Sequence, residues 1–139
     1  MSGETNEVLW RGVRPVAGIR GVWPDVDAER IDKVGGQNGL GTTILYTVPA
    51  GKKLFISSAF ISSTLSSSLE AHTNFFVRDA AQATKFYFYQ LKYKYQGQQA
   101  SGMSYTPALE ALEDWEVCLY GSNAAIKATG IFHGWLEDE

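Results

Sequence analysis

The chain has 139 residues, 45% of them hydrophobic and 13% aromatic, and a formal net charge of −3. That size and apolar content suit one globular domain burying roughly two-thirds of its unfolded surface, and they exclude a disordered chain. No apolar run is long enough for a membrane-spanning helix, and Lys and Arg nowhere form a stripe suited to nucleic acid.

The first seven residues, MSGETNE, contain neither a basic segment nor an apolar core, so no signal peptide and no membrane insertion are expected. Cys118 is the only cysteine, which rules out an intrachain disulfide and fits intracellular synthesis. It reads as a buried, inert thiol. Charge is unevenly spread: residues 1–41 carry a net −1, residues 42–106 a net +4 and residues 107–139 a net −6. Solvated faces explain this pattern, and so does head-to-tail contact between subunits.

Residues 1–41 contain eight of the fourteen glycines, which disfavours regular structure. Yet Val8, Leu9, Trp10, Val13, Val16, Ile19, Val22 and Trp23 make this segment too apolar to remain in water. The expectation is an N-terminal arm and linker over 1–41, followed by a sandwich domain over 42–139. The arm would dock through Trp10, Arg11, Val13, Arg14, Val16, Arg20 and Trp23, with the arginines meeting acidic groups. It would lie on its own domain or on a neighbour. A turn or two of helix is predicted over 25–33 and a flexible joint over 35–39.

Residues 42–63, TTILYTVPAGKKLFISSAFISS, read as strand, turn, strand. Ile44, Tyr46 and Val48 alternate with Thr43, Leu45 and Thr47, while Pro49 and Gly51 supply the corner. In the second arm both faces are apolar, as in a strand between two layers. A small-residue loop over 62–68 precedes a short strand over 73–78. Residues 85–95, KFYFYQLKYKY, alternate most strongly, with Tyr87, Tyr89, Leu91, Tyr93 and Tyr95 on one face. A polar loop over 96–106 and a turn region over 107–114 lead to strands over 115–120 and 125–136. Short, closely spaced strands with almost no helical signal predict an all-β protein, a jelly-roll-like β-sandwich. Phe55, Ile56, Phe76, Phe86, Val117, Leu119 and Phe132 are the predicted core.

Chemistry is sparse. His72 and His133 show no metal-ligand spacing, and the run Asp25, Asp27, Glu29 lacks the glycine and the later carboxylate of a calcium loop. No G-x-S-x-G occurs. Glu110, Glu113, Asp114 and Glu116 offer a carboxylate pair for glycoside hydrolysis but fall in one turn. The reading is therefore not an enzyme, with no cofactor and no metal. The aromatics Tyr87, Tyr89, Tyr93, Tyr95 and Trp135 suit core packing, a subunit interface or sugar stacking.

VPAGK at 48–52, NFFVRD at 74–79, Pro107-Ala108-Leu109-Glu110 before WEVCLY, and the terminal IFHGWLEDE together carry a resemblance. Over about residues 42–139 the chain resembles small β-sandwich virion proteins of tailed bacteriophages, of the head-decoration or tail-associated type. The resemblance implies structural work without chemistry, commonly as a homotrimer whose terminal arms grip other virion proteins. It implies a virion location after assembly in the host cytoplasm. A carbohydrate- or receptor-binding module, with a host glycan as its ligand, is the alternative, using exposed aromatics and the loops 62–74 and 96–106.

Overall fold

The computed structural model describes residues 21–139. Eight strands succeed one another: β1 (Glu29–Asn38), β2 (Gly41–Thr47), β3 (Lys52–Leu65), β4 (Ala71–Arg78), β5 (Thr84–Tyr93), β6 (Gly97–Ala111), β7 (Glu116–Gly121) and β8 (Ile126–Asp138). They form two four-stranded antiparallel sheets, ordered β1-β8-β3-β6 and β2-β7-β4-β5. The pairings nest: β1 with β8, β2 with β7, β3 with β6 and β4 with β5. A long hairpin rolled up on itself gives this nesting, so the fold is a jelly roll.

The core lies between the sheets. Leu54, Ile56, Ala59, Ile61 and Phe132 contribute from one sheet, and Phe75, Val77, Val117 and Leu119 from the other, all buried. Of the predicted core, Phe55, Ile56, Phe76, Val117, Leu119 and Phe132 are buried and Phe86 is half-buried. Phe55 and Phe76, however, do not join the inter-sheet cluster. The hydroxyl of Tyr93 donates to the Ser63 carbonyl at 2.7 Å, and the Ser63 and Thr73 hydroxyls pair at 2.9 Å, tying β3, β4 and β5 together inside the sandwich.

Several sequence expectations are corrected. Residues 29–38 form an edge strand of the sandwich instead of a helical turn and a joint within an arm. The open edge of β8 offers a ten-residue ladder, and tertiary pairing overrides local propensity. Gly35 sits within that strand because a Cβ there would collide with the Leu45 side chain, 2.8 Å from its Cγ. The residues expected as loops at 62–65 and 97–111 are strand, since β3 and β6 complete each other's hydrogen bonding. The turn at Pro49 and Gly51 carries the chain from one sheet to the other. Lys52 N donates to the Pro49 carbonyl at 3.2 Å, and Gly51 has φ 74°.

A smaller apolar cluster lies outside the sandwich. Phe55, Trp135 and Ala108 are buried on the outward side of β1-β8-β3-β6, with Ala28 packed against them. Residues 21–28 roof this cluster. Ala108 N donates to the Gly21 carbonyl at 2.8 Å, and an added Cβ at Gly21 would stand 3.4 Å from the Phe55 ring.

Candidate functional site

The outward face of β2-β7-β4-β5 departs from the polar exterior that alternation predicts. Cross-strand register places Thr42, Tyr120, Asn74 and Gln90 in one row across all four strands. The next row is Ile44, Cys118, Phe76 and Tyr87. Neither row contains a charged side chain. Charged groups border them: Lys92 opposite His72 at one end, and at the other the Arg78 Nε–Glu116 Oε1 ion pair at 2.7 Å.

Two bulges build this face. The register shift at Leu45 turns both Leu45 and Tyr46 toward the core and leaves Ile44 outward. The shift opposite Phe75 and Phe76 does the same for Phe88 and Tyr89, leaving Tyr87 outward. One extra residue on a strand reverses the sides taken by all residues beyond it. Ile44 is 46% and Tyr87 47% exposed, while Phe76 and Cys118 between them are buried. Phe76 and Tyr87 rings meet at 5.8 Å, and His72 and Tyr120 rings at 5.6 Å. The result is an uncharged, aromatic-bearing patch four strands wide. Burial pushes the Cys118 thiol up to about 11, so it contributes packing and no nucleophile.

The five aromatics singled out from sequence do not share a surface. Tyr87 belongs to the patch. Tyr89 turns half-buried toward the core and Tyr93 is buried. Tyr95, 74% exposed, lies just past the end of β5. Trp135 lies on the other sheet, buried, with its Nε1 donating to Glu137 Oε2 at 2.7 Å. Trp23, within the roof of residues 21–28, is 44% exposed. The other expected arm residues, Trp10, Arg11, Val13, Arg14, Val16 and Arg20, lie outside the described residues. Ile44, Phe76, Cys118 and Tyr120 were missed as a group. Their signal was apolar residues at outward positions, which only register could align.

Three of the four carboxylates of 110–116 engage separate partners. Glu110 meets Lys53 at 2.9 Å, Glu113 accepts from Gly51 N at 2.9 Å, and Glu116 holds Arg78. Among the described residues no group of three or more His, Cys, Asp or Glu is placed to hold a metal ion.

No protein-family model matches the chain, and no curated protein does. Solved structures similar to it include the mitogen of Yersinia pseudotuberculosis, at 10% identity over 77% of this chain and 86% of that one, TM-score 0.34. The cyanophage Pam1 capsid asymmetric unit is similar at 10% identity over 81% and 89%, TM-score 0.41. The Tobacco streak virus coat protein is similar at 8% identity over 85% and 90%, TM-score 0.40.

Proposed function

We propose that the chain is a non-enzymatic structural protein of a virion, of the capsid-decoration or tail-associated kind, that self-associates and docks on a larger assembly. The observation that carries this reading is the uncharged double row on the outward face of β2-β7-β4-β5. Charge depletion at the centre, aromatic groups and a charged rim are how the core of a protein interface differs from ordinary surface. The stretch carrying Trp10, Arg11, Val13, Arg14, Val16 and Arg20 serves in this reading as the docking segment of the arm.

Sedimentation velocity of the full chain tests self-association. A homo-oligomer is expected, a trimer by the resemblance, and the double variant Ile44→Lys, Tyr87→Lys is expected to be a folded monomer. A wild-type monomer at high concentration, or an unchanged oligomer in the double variant, overturns the assignment of this face. Mass spectrometry of purified virus particles tests location, with a fixed copy number expected and absence overturning it. Deleting residues 1–20 is expected to leave a folded domain that no longer joins the particle. Retained attachment removes the arm's role.

A further inference from the structure

Four strands end the two sheets, and the outer sides of three are guarded. β1 carries Glu29, Arg30, Asp32 and Lys33 within its first five residues, charges that deter strand pairing. β2 is bulged at Leu45 and tied across to β1, where the Thr43 hydroxyl donates to the Gly36 carbonyl at 3.0 Å. β5 breaks register twice against β4. β6 has none of these devices over residues 97–104, GQQASGMS. Those eight residues pair with Leu65 to Ser58 without a break and carry neither charge nor proline. Among the described residues no strand pairs with their other side. An unbroken, uncharged edge is a template for one more strand. Exposed Met103 on β6 and exposed Tyr95 just before it add apolar area to this edge.

We propose that residues 10–17 of the same chain fill this edge, lying parallel to β6. The described chain begins there: the Gly21 carbonyl accepts from Ala108 N at 2.8 Å, four residues beyond Ser104. From Gly21 the chain passes over Phe55 and Trp135 to reach β1 at Glu29, which leaves the preceding residues on the β6 side. Counting back from the Gly21–Ala108 contact, Ala17 comes abreast of Ser104 and Trp10 abreast of Gly97. The segment is therefore long enough, with residues 1–9 left over. The same count sets Val16 beside Met103 and Trp10 near Tyr95, so apolar groups meet. Pro15 fits, because an outermost strand tolerates a missing N–H on its open side. A second copy offers the same segment, but the tether at Gly21 gives the chain's own segment the higher effective concentration. The inference concerns the free chain and does not rest on docking, which would draw the segment off β6.

The test is paramagnetic broadening in the full chain carrying Gly12→Cys and a nitroxide. Cys118 is buried, so the label goes to the new thiol. The ¹⁵N-labelled, spin-labelled chain is diluted with an excess of unlabelled, spin-free chain, so that only effects within one chain register. Strong broadening of the amides of 97–101 is expected, with those of β1 and β2 on the far flank spared. Broadening spread evenly over the domain, or centred on another strand, overturns the proposal. So does broadening that arises only from a nitroxide on a separate chain, which would make a second copy the occupant. Hydrogen exchange gives an independent readout. Val16→Asp, which sets a carboxylate beside Met103, is expected to speed exchange of alternate amides over 97–104 roughly tenfold or more. Unchanged rates in that variant overturn the pairing.

Discussion

The ring of Phe55 stacks on the indole of Trp135, centroids 5.4 Å apart and planes 15° from parallel, on the outward side of their sheet. Cross-strand pairing of β3 with β8 sets the two side by side. Backbone and carboxylate hold the roof above them: Glu137 Oε2 accepts from Trp135 Nε1 at 2.7 Å and from Asp25 N at 3.1 Å. A sandwich exterior thus acquires a small core of its own.

Phe55→Ala should therefore behave as a core truncation although it lies outside the sandwich. Urea denaturation is expected to show a loss of about 3–5 kcal/mol. A loss below about 1 kcal/mol would mean that residues 21–28 do not close over the ring in solution.

Two glycines on strand ladders should respond differently to the same methyl group. At Gly134 an added Cβ meets the backbone carbonyl of Phe55, which cannot move without breaking the β3–β8 ladder. Gly134→Ala is expected to cost about 1–3 kcal/mol or more. At Gly102 the obstacle is the half-exposed Phe60 ring, which can swing into solvent. Gly102→Ala is expected to cost less than about 1 kcal/mol, with part of the change recovered from strand propensity. Paired denaturation curves check the order.

The solvent-exposed Lys52 Nζ–Asp138 Oδ1 pair, 2.6 Å apart, should add a small, salt-screened contribution at both ends of the pH-stability profile. Its hydrogen bond and charge hold the Asp138 carboxyl below its ordinary 3.8 and raise the Lys52 ammonium above 10.5. The depressed carboxyl contributes stability that is complete above 3.8 and is lost as pH falls through the lower folded value. The raised ammonium contributes stability that is complete below 10.5 and is lost as pH rises through the higher folded value. Asp138→Asn is expected to flatten both limbs in a series of denaturation midpoints. Part of the acid limb should remain, because Asp79 is lowered by the Ala83 backbone N–H and Asp32 by His133.

Cys118 should be silent to a disulfide reagent near neutral pH in the folded protein, since it is buried and its thiol is pushed up to about 11. One equivalent is expected to react once denaturant is added. Rapid reaction of the native chain would show that the centre of the uncharged patch opens.

The amino-acid sequence by itself determined the all-β class and most of the strands. Alternation over 42–47, 85–93 and 115–120, the Pro49–Gly51 corner and the near absence of helical periodicity are local properties, legible without a partner. It also marked Phe55 and Phe76 as residues that would be buried, though not where. Only the tertiary structure decided which way each strand faces and which strands meet. Bulges at Leu45 against β7, Ser57 against β8 and Phe88 against β4 each insert one residue, and because side chains alternate with period two, each insertion reverses the sides beyond it. Hence the tyrosine run, uniform in sequence, divides between core and surface, and Ile44, Cys118, Phe76 and Tyr87 align from four separate strands. The glycine-rich 29–38 segment carries no strand signal of its own. It becomes β1 because β8, brought alongside by the nested pairing, has backbone groups that must be satisfied.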